Sequence, residues 1–197
     1  MKRMISGLAA LLAVSLVYSA GPASAEPQRF ELDPDHTSIA FKAMHIGYAR
    51  VIGLFREASG SFTFDEDELT LSDVEVVIET DSVFTNHEKR DQHLRSPDFL
   101  NSAEFPEMTF VGTSTEKVSD REGIIHGELT MLGQTHPLSL NVTLNKVAAY
   151  PFGDNYSVGV SATGTVIRSQ YGMTYAVDNG WVGDEIELML EFEAIRQ

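Results

Sequence analysis

The groups in this chain best placed to do chemistry are its six histidines and one dense charged run, Asn86-His87-Glu88-Lys89-Arg90-Asp91-Gln92-His93-Leu94-Arg95. Within the run, Asp91 and His93 stand two apart. On an extended segment they would share a face, and the carboxylate could orient the imidazole for general acid–base work; on a helix they would not. Read as a helix, Arg90, Asp91 and Arg95 become a solvated face or partners for Asp98. The histidines are His36, His45, His87, His93, His126 and His136. No two have the H-x-x-x-H spacing of a zinc hydrolase, and the chain has no cysteine, so no metal motif is present. Neither a G-x-S-x-G nucleophile turn nor a Gly-rich phosphate loop occurs, and no cofactor motif is visible. Ser, His and Asp groups could still meet in the fold.

The elements that must position these groups are strands. Ile186, Leu188, Leu190 and Phe192 alternate with Glu185, Glu187, Met189, Glu191 and Glu193. Leu138, Leu140, Val142 and Leu144 alternate with polar residues, as do Val74, Val76 and Ile78, and Ile39 and Phe41. Period two with one apolar face predicts half-buried antiparallel strands. Turn signals fall at Gly47, Gly60, Asp65-Glu66-Asp67, Ser119 to Gly123, Gly133-Gln134 and Pro151 to Asn155. They divide the chain into about eight strands. From Ser82 to Phe105 the pattern lapses, which predicts a short helical insertion over one end, stopped by Pro97. An all-β sheet of this size hides its edges in a sandwich or a closed barrel, and periodicity does not choose between them.

The N-terminus has the grammar of a secretory signal peptide. Lys2 and Arg3 precede an apolar run from Leu8 to Val17; Gly21-Pro22 breaks it, and Ala23-Ser24-Ala25 is a small-residue cleavage site. The run is too short to span a bilayer as a helix. Residues 1–25 are therefore expected to be a cleaved leader and 26–197 a single domain, exported to a periplasm with no stable membrane anchor. The formal charge is −15, and the leader carries two cations and no acid, so its removal leaves a still more acidic product. Such a charge argues against nucleic acid and against electrostatic docking on anionic lipid. Edge pairing could make a homodimer, although no feature demands one.

Several motifs, in order along the chain, resemble one family. They are Asp33-Pro34-Asp35-His36-Thr37-Ser38-Ile39-Ala40-Phe41, His45-Ile46-Gly47-Tyr48, Arg90-Asp91-Gln92-His93-Leu94-Arg95-Ser96-Pro97-Asp98-Phe99-Leu100, Phe105-Pro106-Glu107-Met108-Thr109-Phe110, Gly127 to Thr135, Ile167 to Gly172 and Val182 to Ile186. Together they resemble the YceI-like family of lipocalin-like, polyisoprenoid-binding periplasmic proteins, from about Phe30 to the C-terminus. The chain has Phe30 where many relatives carry Trp. The resemblance implies an extended antiparallel lipocalin-like β-barrel. It also implies an isoprenoid lipid as ligand, either a prenyl diphosphate or an isoprenoid quinone.

With that implication, Ile39, Phe41, Phe55, Val76, Ile78, Phe99, Phe110 and Leu129 are the expected tail contacts, with Phe62, Phe64 and Met131 as further candidates. Read without it, the same residues are a filled barrel core. Each five-carbon unit buried would contribute on the order of 3–4 kcal/mol before ordering losses. At the head group, His45, Arg90, His93 and Arg168 are the expected contacts, Arg offering a planar fork to a diphosphate. A carrier without catalytic residues is the expectation. The alternative is a lipid-modifying hydrolase or isomerase using His93 with Asp91, or His45.

Overall fold

The computed structural model describes residues 26–197, so the leader expected at 1–25 lies outside the described residues. The strands in chain order are β1 (Gln28–His45), β2 (Ala49–Phe55), β3 (Ala58–Asp65), β4 (Thr70–Glu79), β5 (Val83–Phe84), β6 (Glu107–Lys117), β7 (Glu122–Met131), β8 (Gln134–Ala149), β9 (Tyr156–Ile167) and β10 (Val182–Arg196). Among the described residues one α-helix, α1 (Glu88–Leu94), lies between β5 and β6, and short 3₁₀ turns cover Thr80–Ser82 and Arg168–Tyr171. Among the described residues no helix is long and apolar enough to cross a membrane.

Antiparallel pairing runs β1-β3-β4-β6-β7-β8-β9-β10, and β10 returns to β1 from Phe30↔Arg196 to His45↔Val182. Eight strands thus close a barrel: the alternation gave the strands, and the family resemblance the closure. Closure leaves the eight with no free edge. β2 and β3 share one side of β1: β3 pairs with Gln28–Glu31 and β2 with Ile39–His45. β2 is then extended outward by the two residues of β5.

Two details depart from the sequence reading. Gly60 is not at a turn but inside β3, where a Cβ would sit 2.6 Å from the Glu75 carbonyl oxygen on β4; only glycine allows that approach. The break between β2 and β3, at Arg56-Glu57, carries no Gly or Pro and left no signal.

Alternating strand directions give the barrel two ends. The far end gathers the 66–69 turn, the 118–121 turn and the 150–155 turn. The mouth end gathers the β1–β2 turn, the Thr80–Pro106 insertion, the Leu132-Gly133 turn and the link from Arg168 to Trp181. Inward side chains of the far half form a packed aromatic plug. Phe30 stacks on Phe62 at 5.7 Å and meets Phe64 edge-on, while Phe62 meets Phe192 at 6.4 Å. The far-end space that remains, lined by Phe64, Leu71, Leu144 and Val160 among others, is about 70 Å³.

Candidate functional site

Above the plug the barrel opens into an inner chamber of about 130 Å³ whose exposed wall is entirely apolar. Period two builds it. Ile39, Phe41 and Ala43 come from β1, Phe55 from β2, Ile78 from β4, Met108 from β6, Leu129 and Met131 from β7, Val166 from β9, and Ile186 and Leu188 from β10. Phe41 leans on the bare backbone of Gly53, where an added Cβ would lie 2.2 Å from the ring. That shallow seat leaves volume in the chamber. Leu94, Phe99, Leu100 and Met173 close it from the mouth-end connections.

An outer chamber of about 270 Å³ continues from it, sharing Phe41, Ala43, Leu94, Phe99 and Val182. It adds Met44, His45, Ile46, Val51, Arg90, His93, Tyr175, Ala176 and Trp181. At 10–15 Å³ for each water-sized body, the two spaces hold roughly ten and twenty such bodies. His93, Phe99 and Tyr175 form one aromatic cluster, with the His93 ring 4.9 Å from each neighbour and edge-on to both.

Two buried polar groups hold the roof in place. Arg168 is 1% exposed. Its guanidinium donates to the carbonyls of Gly183 at 2.8 Å, Met173 at 2.8 Å, and Tyr175 and Val182 at 2.9 Å each. One side chain thereby ties both ends of the 168–181 link to the barrel wall. Burial pushes its pKa down, and nearby Asp184 opposes that shift. Asp91, the other group, is buried on α1 and accepts the Thr85 N–H at 2.8 Å and the Thr85 hydroxyl. Arg90 closes the same turn, donating to Thr85 Oγ1 at 2.7 Å and to Thr85 O at 2.8 Å.

Most of the expected contacts line these chambers. Ile39, Phe41, Phe55, Ile78, Phe99, Leu129 and Arg168 line the inner one, while His45, Arg90 and His93 line the outer one. Val76 and Phe110 do not. They pair with each other one step deeper than Ile78 and Met108, and belong to the packed floor. Phe62 and Phe64 sit at the far end, in the plug. Arg168 borders the inner chamber, but its N–H groups are committed to backbone carbonyls. His45 borders the outer chamber with Phe41 and is exposed.

The Asp91–His93 pair does not form. The segment is helical, Asp91 turns inward to Thr85, and His93 Nε2 meets Asp98 Oδ2 at 2.9 Å. Arg95 bonds the carbonyls of Asp81 and Val83 instead of Asp98. Ile186 and Leu188 were legible as inward-facing residues but not as chamber wall. Leu94, Met173, Tyr175 and Trp181 lie in stretches without period two, where alternation gives no signal. Away from both chambers, Asp33, His36 and Glu193 bring ligand-type atoms within 4.8 Å of one another. Within that group His36 Nδ1 and Asp33 Oδ2 share a 2.7 Å hydrogen bond.

A closed eight-strand antiparallel barrel with an apolar chamber open at one end is a lipocalin-like architecture. The chain belongs to the YceI-like family, whose domain matches residues 30–194. A UPF0312 protein of Pectobacterium carotovorum is 41% identical over 191 residues, covering 96% of this chain and 97% of that one. The YceI protein of Campylobacter jejuni is 28% identical with a TM-score of 0.72, over 78% of this chain and 90% of that one. A polyisoprenoid binding domain from Saccharophagus degradans, implicated in plant cell wall breakdown, shares the fold at 11% identity and a TM-score of 0.66, over 85% and 98%.

Proposed function

We propose that this protein is a periplasmic carrier for an isoprenoid lipid, reaching its compartment through the 1–25 leader and working as a binding protein rather than an enzyme. The observation that carries the reading is the inner chamber, a wholly apolar space continuous with a wider one that opens at the mouth end. Branched apolar units suit such a wall, because each buried carbon group adds about 0.8 kcal/mol and no polar group loses a partner. The polyisoprenoid binding of the Saccharophagus domain supports the same ligand class.

The tail occupies the inner chamber and the head group the outer one. A neutral ring fits the outer chamber better than a diphosphate. Arg168 is spent on four carbonyls, Arg90 serves Thr85, and what remains facing the space is largely aromatic. The ring would lie among His93, Phe99, Tyr175 and Trp181, with His45 as a hydrogen-bonding group and His93 held by Asp98. Extraction of the purified protein with organic solvent, followed by mass spectrometry, tests the reading. A stoichiometric prenylated quinone or phenol is expected. A prenyl diphosphate would overturn the head-group assignment alone, and an extract without lipid, together with failure to take up added prenyl lipid, would overturn the carrier.

A further inference from the structure

An isoprenoid lipid resides in a bilayer, so its carrier must meet one, and the mouth carries a surface suited to that. Ile46, Tyr48, Ile52, Leu54, Phe84 and Trp181 are exposed together on the β1–β2 hairpin, β5 and the adjoining link, Tyr48 at 88% and Trp181 at 57%. Tyr175, also exposed, adjoins this group at the outer chamber, and the remaining exposed large apolar side chains among the described residues, Val111, Val118 and Phe152, lie on separate elements beyond the mouth. An apolar group concentrated at one place on an acidic molecule marks an interaction surface rather than chance exposure.

The hairpin tip is built for it. Tyr48 N–H donates to His45 O at 3.0 Å, closing a two-residue turn in which Ile46 has φ 51° and Gly47 φ 73°. Such turns favour Asn-Gly, and a β-branched residue is strained at positive φ. Ile46 nevertheless holds the position and faces both solvent and the outer chamber. Its N–H donates to Trp181 O at 2.9 Å, which joins the two apolar tips into one rim.

Charge is arranged to match. No Asp or Glu occurs from His36 to Arg56, where Lys42, Arg50 and Arg56 lie. Lys42 and Arg50 share the single carboxylate of Glu187, at 3.9 and 2.7 Å, and Arg56 sits over the Phe84 ring. The neighbouring insertion adds no net cation: its Lys89, Arg90 and Arg95 stand among Asp81, Glu88, Asp91, Asp98 and Glu104, with Arg90 bonded to Thr85 and Arg95 paired with Asp81, so the cationic stretch is the hairpin itself. Whole-molecule charge opposes binding to an anionic surface, but the β1–β2 hairpin presents Lys42, Arg50 and Arg56 beside aromatic and aliphatic tips. That combination suits the interface of a phospholipid bilayer, where Trp and Tyr settle at the headgroup level and cations meet phosphates.

We infer that the β1–β2 hairpin and Trp181 form a reversible docking rim that seats the chamber mouth on an anionic phospholipid bilayer. The inference rests on the carrier reading for its purpose, though not for its test. Trp181 is the chain's single tryptophan, so its emission reports on the rim alone. Vesicles of phosphatidylcholine and phosphatidylglycerol are expected to move that emission to shorter wavelength and shield it from a soluble quencher, less so as salt rises. Ile46→Asp and Tyr48→Asp, checked for folding by circular dichroism, are expected to weaken vesicle partitioning about ten-fold or more, and Phe152→Asp to leave it unchanged.

Unmoved emission at saturating vesicle concentration would overturn the docking. So would a shift that grows with protein concentration and ignores vesicles, which would mark the rim as a contact between two copies. Lipid in the extract with unmoved emission sinks the docking and leaves the carrier. A vesicle-dependent shift in a protein that takes up no lipid does the reverse.

Discussion

The two ends of the barrel are made by the same alternation of apolar and polar residues, yet one is filled and the other is open. At the far end, Phe30, Phe62, Phe64 and Phe192 interlock, and about 70 Å³ is left among them and their neighbours. At the mouth, Phe41 leans on Gly53 and Phe55, the roof segments are held by the buried hydrogen bonds of Arg168 and Asp91, and about 130 Å³ remains beneath them. The difference lies in what closes each end. Short turns close the far end and let side chains collapse. The insertion and the 168–181 link span the mouth, and Asp91 and Arg168 fix them at a distance. An interior chamber in this barrel is thus a product of its buried polar anchors as much as of its apolar wall.

This contrast can be broken from either side. Arg168→Met should be the most damaging change at the mouth, costing about 3–5 kcal/mol in urea unfolding because four carbonyls lose their donor. It should also abolish ligand retention, whereas a roof that kept its stability and its ligand would mean the link is held by something else. Phe64→Ala is the far-end counterpart. It should also cost about 3–5 kcal/mol by leaving a cavity, but the loaded lipid per folded molecule should not change. Lost loading there would place the ligand deeper than the inner chamber. Phe41→Asp reverses that pattern. A carboxylate on the apolar wall should weaken prenyl-lipid binding about 100-fold, or about 2.7 kcal/mol, read by titration of the delipidated protein.

The smallest effect belongs to neither end. His36 and Asp33 hydrogen-bond on an excursion of β1 that lies opposite Glu193. The bond to Asp33 raises the His36 pKa above its ordinary 6.5, and the bond to His36 lowers the Asp33 pKa below its ordinary 3.8. His36 therefore adds stability that is complete below pH 6.5 and is lost as pH rises through its raised value. Asp33 adds stability above pH 3.8 that is lost as pH falls through its lowered value. These are two views of one interaction. Thermal unfolding of the parent protein should show a small decline above pH 6.5 that His36→Ala removes, with loading at the mouth unaffected. An identical pH profile in His36→Ala would remove this role.

How much of this was written in the sequence follows from what period two can encode. Alternation identified inward residues such as Ile39, Phe41, Ile78 and Leu129, because a strand assigns its faces locally. It could not separate Ile78 from Val76, one inward step deeper, since both obey the same rule; depth along a barrel depends on where the ends close. Val76 and Phe110 were misplaced for that reason. The run around α1 showed its charges but not their direction. Asp91 turned out to be a buried anchor because Thr85, six residues upstream, offered two donors. Arg168 looked like a head-group cation, and only the path of the 172–183 backbone reveals that its donors are already taken. Trp181 and Tyr175 lie in that same aperiodic link, where pattern reading has nothing to count.

The most direct test of the account asks where the tail lies. A prenyl chain carrying a photoreactive diazirine near its tail end, loaded and cross-linked, can be mapped by peptide mass spectrometry. Labels are expected on inner-chamber residues of β1 and β10, Phe41 and Leu188 among them, and none on Phe64, Leu71 or Leu144 of the far end. Labels concentrated at the far end, or scattered over the outer surface, would contradict this placement.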